Sequence, residues 1–153
     1  MSTEIPAGFE LRHEDDTFID RIGPIYQQVL HDRVILGARL VRHQLNPGFT
    51  THGGMLLSLL DVTFGSTAAQ VLGHEGIVAT VSLTCNMLAA AREGEWIQAE
   101  AQVDKTTRTL SFLSGRVTAG DRVLATATGV FRNPPPPRPD PETVRGAGGA
   151  RGQ

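Results

Sequence analysis

A single cysteine, Cys85, in 153 residues excludes an intrachain disulfide. The fold must therefore rest on an apolar core, and one domain of this length can bury a sizeable one. Charge of one sign is also missing. A formal charge of −2 gives no electrostatic footprint for nucleic acid or an anionic membrane surface. Met1–Glu10 has neither a basic start nor an apolar run, so no signal peptide is read there, and a cytoplasmic location is expected. His13, His31, His43 and His74 form no metal-ligand grouping and read as surface residues, leaving no metal site to propose. Cys85 lies among apolar neighbours on an expected strand and reads as a small core residue, not a nucleophile; Trp96 and Phe112 read as core or interface anchors.

Charge is scarcest between Gly53 and Gly73 (GGMLLSLLDVTFGSTAAQVLG), where Asp61 alone carries any. A carboxylate inside an apolar helix is costly unless it is paired, hydrogen-bonded or used, which makes Asp61 a candidate catalytic group. The stretch is long enough to raise the possibility of a membrane span. Asp61, Gln70, the hydroxyl residues and the glycines make it too polar for that, and a helix hydrophobic nearly all round belongs in the middle of a domain. Upstream, Asn46-Pro47-Gly48-Phe49-Thr50-Thr51-His52-Gly53-Gly54 is turn-rich and leaves backbone N–H groups free at the start of the same helix. Glycine there lets a ligand approach the backbone.

Around this helix the patterning is that of strands. Residues 34–41 alternate, 77–88 is β-branched, and Ile97, Ala99, Ala101 and Val103 alternate with Gln98, Glu100, Gln102 and Asp104. Runs 109–118 and 122–131 flank the turn Ala119-Gly120-Asp121. The expectation is one helix followed by four antiparallel strands, with one or two strands before it, and small Ala99 and Ala101 leaving room for the helix. Thr17–Ile22 predicts a short helix stopped by Gly23-Pro24. Residues 1–16 read as a weakly ordered N-terminal segment, 17–132 as the domain, and 133–153 as a disordered Pro/Gly-rich tail.

An antiparallel sheet wrapped around one long central helix is the α+β hotdog fold. The run Asn46, Gly48, His52-Gly53-Gly54, Asp61, then Thr80-Val81-Ser82-Leu83, then Ala125–Phe131 resembles the PaaI-type hotdog-fold acyl-CoA thioesterases over roughly residues 17–132. The resemblance implies hydrolysis of a thioester to a free acid and coenzyme A, with no cofactor beyond the coenzyme A of the substrate. It implies that the Gly53 backbone N–H polarises the thioester carbonyl, at a helix N-terminus suited to developing negative charge. His52 then shapes that oxyanion site, Asn46 holds the attacking water or the carbonyl, and Asp61 is the general base or the nucleophile. Thr80 orients the water or the carboxylate. Gly54, Ser82, Arg92, Lys105 and Arg108 match positions that meet substrate. The chain departs from the family pattern at Ser82, Met87 and Ala90, where relatives carry an acidic residue, an aromatic and a proline.

Gly53 and Asp61 lie eight residues apart on one helix, about 12 Å along its axis. They cannot both touch one carbonyl, so a shared site needs a second subunit across a two-fold axis. The homodimer is the expected minimal active unit, and the resemblance adds pairing of dimers into tetramers. Two alternatives stay open: a non-catalytic acyl-CoA-binding module, and a thioesterase acting on acyl carrier protein. A hydratase on the same fold is disfavoured, because those relatives use a differently placed histidine with an acidic partner.

Overall fold

A computed structural model of the protein describes residues 4–135. Seven strands form one antiparallel sheet: β1 (Glu10–Leu11), β2 (Tyr26–Val29), β3 (Val34–Arg39), β4 (Ala79–Met87), β5 (Trp96–Thr106), β6 (Leu110–Ala119) and β7 (Arg122–Arg132). Their order across the sheet is β1-β2-β3-β5-β6-β7-β4. A five-residue helix, α1 (Phe18–Ile22), precedes β2, and the long helix α2 (Gly53–Leu72) connects β3 to β4. This is the hotdog architecture the sequence led us to expect.

Alternation sets which face each strand gives to α2. On β5, Ile97, Ala99 and Ala101 are buried while Gln98 and Glu100 between them are only partly covered. α2 contributes Leu56, Leu59, Leu60, Phe64 and Ala68 to the same core. Its C-terminus is set by Gly73 in the left-handed conformation (φ 61°), whose N–H bonds back to the carbonyls of Ala69 and Gln70. α2 is long and apolar enough to cross a bilayer, yet Met55, Leu56, Leu59, Leu60 and Phe64 are buried in the core beneath this sheet.

Helix and sheet meet at Phe64, fully buried and 6.1 Å from the Phe131 ring centroid. A Cβ on Gly115 would stand 2.6 Å from Phe64 Cε1 and 2.4 Å from the Glu100 carbonyl oxygen, so glycine is what lets β6 pass under the ring.

Several expectations are corrected. Three strands precede α2 rather than one or two; β2 (YQQV) is short and apolar only at its ends, and so carries no alternation signal. The run expected over 77–88 pairs only from Ala79 to Met87, and Ile77 is 89% exposed. Within residues 1–16, β1 pairs with β2, and Phe9 stacks edge-on against Trp96 at 5.0 Å between centroids. Trp96 itself is half-buried, packed over Gly37 beside Tyr26. Cys85 is half-buried on the edge strand β4, packed against the core at its rim; burial raises its thiol pKa. Asn133, assigned to the tail, is buried. Its Oδ1 accepts from Ser111 Oγ (2.7 Å) and its Nδ2 donates to the Thr107 carbonyl (2.8 Å). Residues 136–153 of the expected tail lie outside the described residues.

Gly115→Ala should destabilise the protein by about 1–3 kcal/mol, because the methyl meets backbone on one side and a buried ring on the other. Chemical denaturation checks this, and an unchanged midpoint would show that β6 has slack the packing does not suggest.

Candidate active site

The start of α2 is assembled from the loop before it. Asn46 Oδ1 accepts from the N–H groups of Gly48 (2.8 Å) and Thr50 (3.3 Å), and its Nδ2 donates to Thr50 Oγ1 (2.9 Å). That turn places Phe49 in the left-handed region (φ 61°), with the Arg42 guanidinium 4.0 Å from its ring centroid. Next, the Thr51 N–H and hydroxyl both donate to the Ala91 carbonyl (2.8 and 3.0 Å), and the His52 N–H donates to the Gln44 carbonyl (3.0 Å). The loop is thus sewn between a short 3₁₀ turn, Arg42–Gln44, and the segment after β4.

His52 caps the helix. Its Nδ1 accepts from the Gly54 N–H at 2.8 Å, so any proton on a neutral ring sits on Nε2. Its carbonyl accepts from Met55 N–H (2.9 Å) and Leu56 N–H (3.3 Å). Of the first four helical N–H groups, only that of Gly53 is left without a partner among the described residues. An orphan donor at the positive end of a 20-residue helix is an anion site in waiting. Gly54, expected to meet substrate, has already given its N–H to His52, and a Cβ there would stand 3.0 Å from the ring.

Asp61 sits two turns along the same unbroken helix, partly exposed. Thr80 Oγ1 on β4 donates to Asp61 Oδ1 at 2.6 Å; the other carboxylate oxygen receives no hydrogen bond from the described residues. The register of β4 against β7 slips between Thr80 and Ser82, leaving Val81 unpaired. Such a bulge re-aims its neighbours. Ser82 follows it, exposed on the same edge strand. Asn46 does not join Asp61 within one chain: three of its amide's four hydrogen-bonding positions are taken by its own turn, leaving one Nδ2 hydrogen to spare.

The basic candidates divide between two ends of the sheet. Arg92 adjoins Ala91, whose carbonyl holds Thr51, and so stands at the Gly53 end. The pairing register runs Thr106 to Ser111 to Phe131 to Thr80 across four strands, placing Lys105 and Arg108 at the Asp61 end. There the structure adds Arg132, opposite Ala79, which the sequence had not marked. Arg108, Leu110, Arg132 and Pro134 line a groove of about 470 Å³, and Asn133 beside them anchors the turn through Ser111 and Thr107. An Asn at a strand end, followed by prolines, was the available signal for that anchor.

Residues 49–126 match the model of the thioesterase superfamily. The chain belongs to that superfamily. A Pseudomonas aeruginosa protein with a provisional esterase name, PA0474, is 31% identical over 131 residues, covering 85% of this chain and 98% of the relative. The conserved P. aeruginosa protein PA5202 superposes with a TM-score of 0.72 at 25% identity, over 76% of this chain and 93% of that one. The PaaI protein of Escherichia coli, from a phenylacetic acid degradation operon, shares the fold with a TM-score of 0.69 at 18% identity, over 78% and 86% of the two chains. Like its superfamily, the protein is a thioester hydrolase. The matched segment holds His52, Gly53, Asp61 and Thr80, while Asn46 and Arg132 fall outside it.

The loop bearing Arg92 is held by Glu95, which accepts from the Arg92 N–H (2.6 Å) and from Arg122 Nη2 (2.6 Å). Partial burial works to raise the Glu95 carboxyl, but the Arg122 guanidinium and the Arg92 N–H outweigh it and hold its pKa below the ordinary 4.5. A depressed folded pKa stabilises above the unfolded value, and that gain is lost as pH falls through the folded one. Glu95→Gln should therefore cost up to about 1 kcal/mol at neutral pH. The difference from wild type should vanish in acid below the ordinary glutamate range. Paired denaturation curves at neutral and acid pH test this; a gap that persists in acid would mean that the carboxylate charge is not what the loop uses.

Proposed function

We propose that the protein is an acyl-CoA thioesterase whose two active sites lie across a homodimer interface. The observation that carries this is the single orphan N–H at Gly53, on the same helix as a half-satisfied carboxylate at Asp61. A thioester carbonyl accepts from Gly53, and Asp61, oriented by Thr80, takes a proton from water as it attacks the carbonyl carbon. Oxygen gains the negative charge, the Gly53 donor stabilises it, and the coenzyme A thiolate leaves. Direct attack by Asp61, through an anhydride, uses the same geometry. In ¹⁸O-water, label in the Asp61 carboxylate after a single turnover identifies an anhydride opened at the Asp61 carbon, an outcome that direct attack by water does not give.

The edge strand supports the dimer. β4 has a neighbour on one side only, and Val81, Met87 and Leu88 are 55%, 47% and 60% exposed. A long uncovered apolar edge is a template for another strand. β4 runs from Thr80, beside Asp61, to Met87, whose methyl lies 3.7 Å from where a Gly53 Cβ would be. A second copy pairing antiparallel along that edge brings the Asp61 end of one chain to the Gly53 end of the other. The same pairing gathers Arg92 of one subunit with Lys105, Arg108 and Arg132 from its partner's copy of the sheet, a set of cations suited to the phosphates of coenzyme A. We take the dimers to pair into tetramers and the protein to work in the cytoplasm.

Thiol release from short, medium, long and aromatic acyl-CoAs tests the reading. Asp61→Asn should lower kcat by about 10²–10⁴ while leaving dimerisation and ligand binding in place. Turnover unaffected by this change would remove Asp61 from the mechanism.

Gly53→Pro isolates the oxyanion donor. Position 53 is the first of the helix, where proline is favoured, and His52 already has the extended backbone (φ −65°, ψ 135°) that a following proline requires. The variant deletes the one N–H that no internal partner uses, so it should fold yet lose about 10²–10³ in kcat. Gly53→Ala, which adds a Cβ but keeps the donor, should fall well short of that loss. Mixed dimers of Gly53→Pro and Asp61→Asn chains should regain one working site, whereas homodimers of either stay inactive. Mixed dimers as dead as their parents would place both groups in one chain's site.

A further inference from the structure

A second groove, of about 280 Å³, lies between α1 and the first turns of α2, with Phe18, Ile22 and Met55 among its apolar walls and His52 and Ser58 on its polar side. Hydrogen bonds fix those walls. The Gln44 side chain, 3% exposed, donates through Nε2 to the Ile22 carbonyl (2.8 Å) and accepts through Oε1 from the Val41 N–H (3.0 Å). The Gln44 carbonyl also receives the His52 N–H (3.0 Å). One buried amide residue therefore ties the end of α1 to the cap of α2. His43 Nε2, 2.7 Å from the Gly23 carbonyl, pins the residue after α1 in the same way. Ile19 anchors α1 in the core, leaving Phe18 62% exposed along the groove.

Position, charge and volume together choose the occupant. The groove runs past His52 and Gly54, so it begins next to the free Gly53 N–H where a thioester carbonyl oxygen is held. Its arginine is already engaged, Arg21 pairing with Asp16 at 2.6 Å, and the His43 ring holds the Gly23 carbonyl. The candidate phosphate ligands Arg92, Lys105, Arg108 and Arg132 are absent from its lining. Apolar walls without a free cation suit the acyl side of the thioester and not the coenzyme A side. At about 30 Å³ for each water-sized unit, the space takes roughly nine non-hydrogen atoms.

The geometry points to this groove as the acyl-recognition site, with Phe18, Ile22, Met55 and Ser58 setting acyl length, filled by an apolar acyl group of about eight to ten non-hydrogen atoms. This rests on the acyl-CoA reading above and adds to it the substrate class and the part played by α1. An octanoyl or arylacetyl group fits; a long chain fills the groove and then runs out into water.

The test uses S-(2-oxoalkyl)-CoA thioethers, which keep a carbonyl but cannot be hydrolysed, in a series from two to fourteen alkyl carbons. Calorimetric titration of the full chain should show affinity rising about three- to fourfold per methylene until roughly eight carbons, then levelling. Ser58→Leu, which fills the groove, should flatten the rise within the first few carbons, and Phe18→Ala, which removes a wall, should lower its slope. Slope is the readout, since a general loss of folded protein shifts every member of a series alike. A rise identical in wild type and both variants overturns the assignment. Loss of slope in the variants, with no hydrolysis of the matching thioesters, upholds the groove and overturns the acyl-CoA hydrolase reading. No binding of any thioether overturns both.

Discussion

Everything in this protein hangs on burying a nearly uncharged helix. α2 offers apolar side chains over most of its circumference, and a single curved sheet has to cover them. The strand faces toward it accordingly carry small residues, Ala99, Ala101 and Ala127, together with Gly115 and Gly129, whose missing side chains make room for Phe64. That burial holds α2 rigid and fixes the direction of its N-terminus. A rigid helix end turns one unsatisfied N–H into a preorganised donor, because the cost of aiming it has been met in folding.

Polar atoms at the site show a division of labour. Thr51, Gln44, the Nδ1 of His52 and all but one Nδ2 hydrogen of Asn46 are committed to internal hydrogen bonds, and they form the frame. Gly53 N–H and one oxygen of Asp61 are left over. Both groups are partly exposed, so they are free to meet water or a ligand where the frame atoms are not. The two fall roughly two helical turns apart on one helix, the positions that the proposed two-fold partner would reunite. The open edge of β4 runs between those same two positions, so in the proposed dimer strand pairing and site completion would be one event.

Much of this was legible in the sequence because its signals are local. A 21-residue window with a single charge, period-two alternation in residues 97–103, and glycines after a histidine each report on their own neighbourhood. They gave the central helix, the antiparallel sheet and the candidates Asp61, His52 and Gly53. β1 and β2 escaped notice, being too short to show a period. Asn133 was misread as tail because a run of prolines follows it, whereas its own side chain closes a turn 26 residues upstream through the Thr107 carbonyl.

Local pattern therefore determined which segments are helix and strand, and which residue types have chemistry to offer. Tertiary structure decided which of their polar atoms remain free. Whether Gly53 or Gly54 keeps its N–H depends on where the His52 ring turns, and whether Asn46 has an amide to spare depends on Gly48 and Thr50. It also decided that Arg92 and Arg108, sixteen positions apart in sequence, stand at opposite ends of the sheet, and that α1 walls a groove beside the Gly53 N–H. These outcomes turn on non-local hydrogen bonds and strand register, which close only when distant segments meet, and no short window of sequence encodes them.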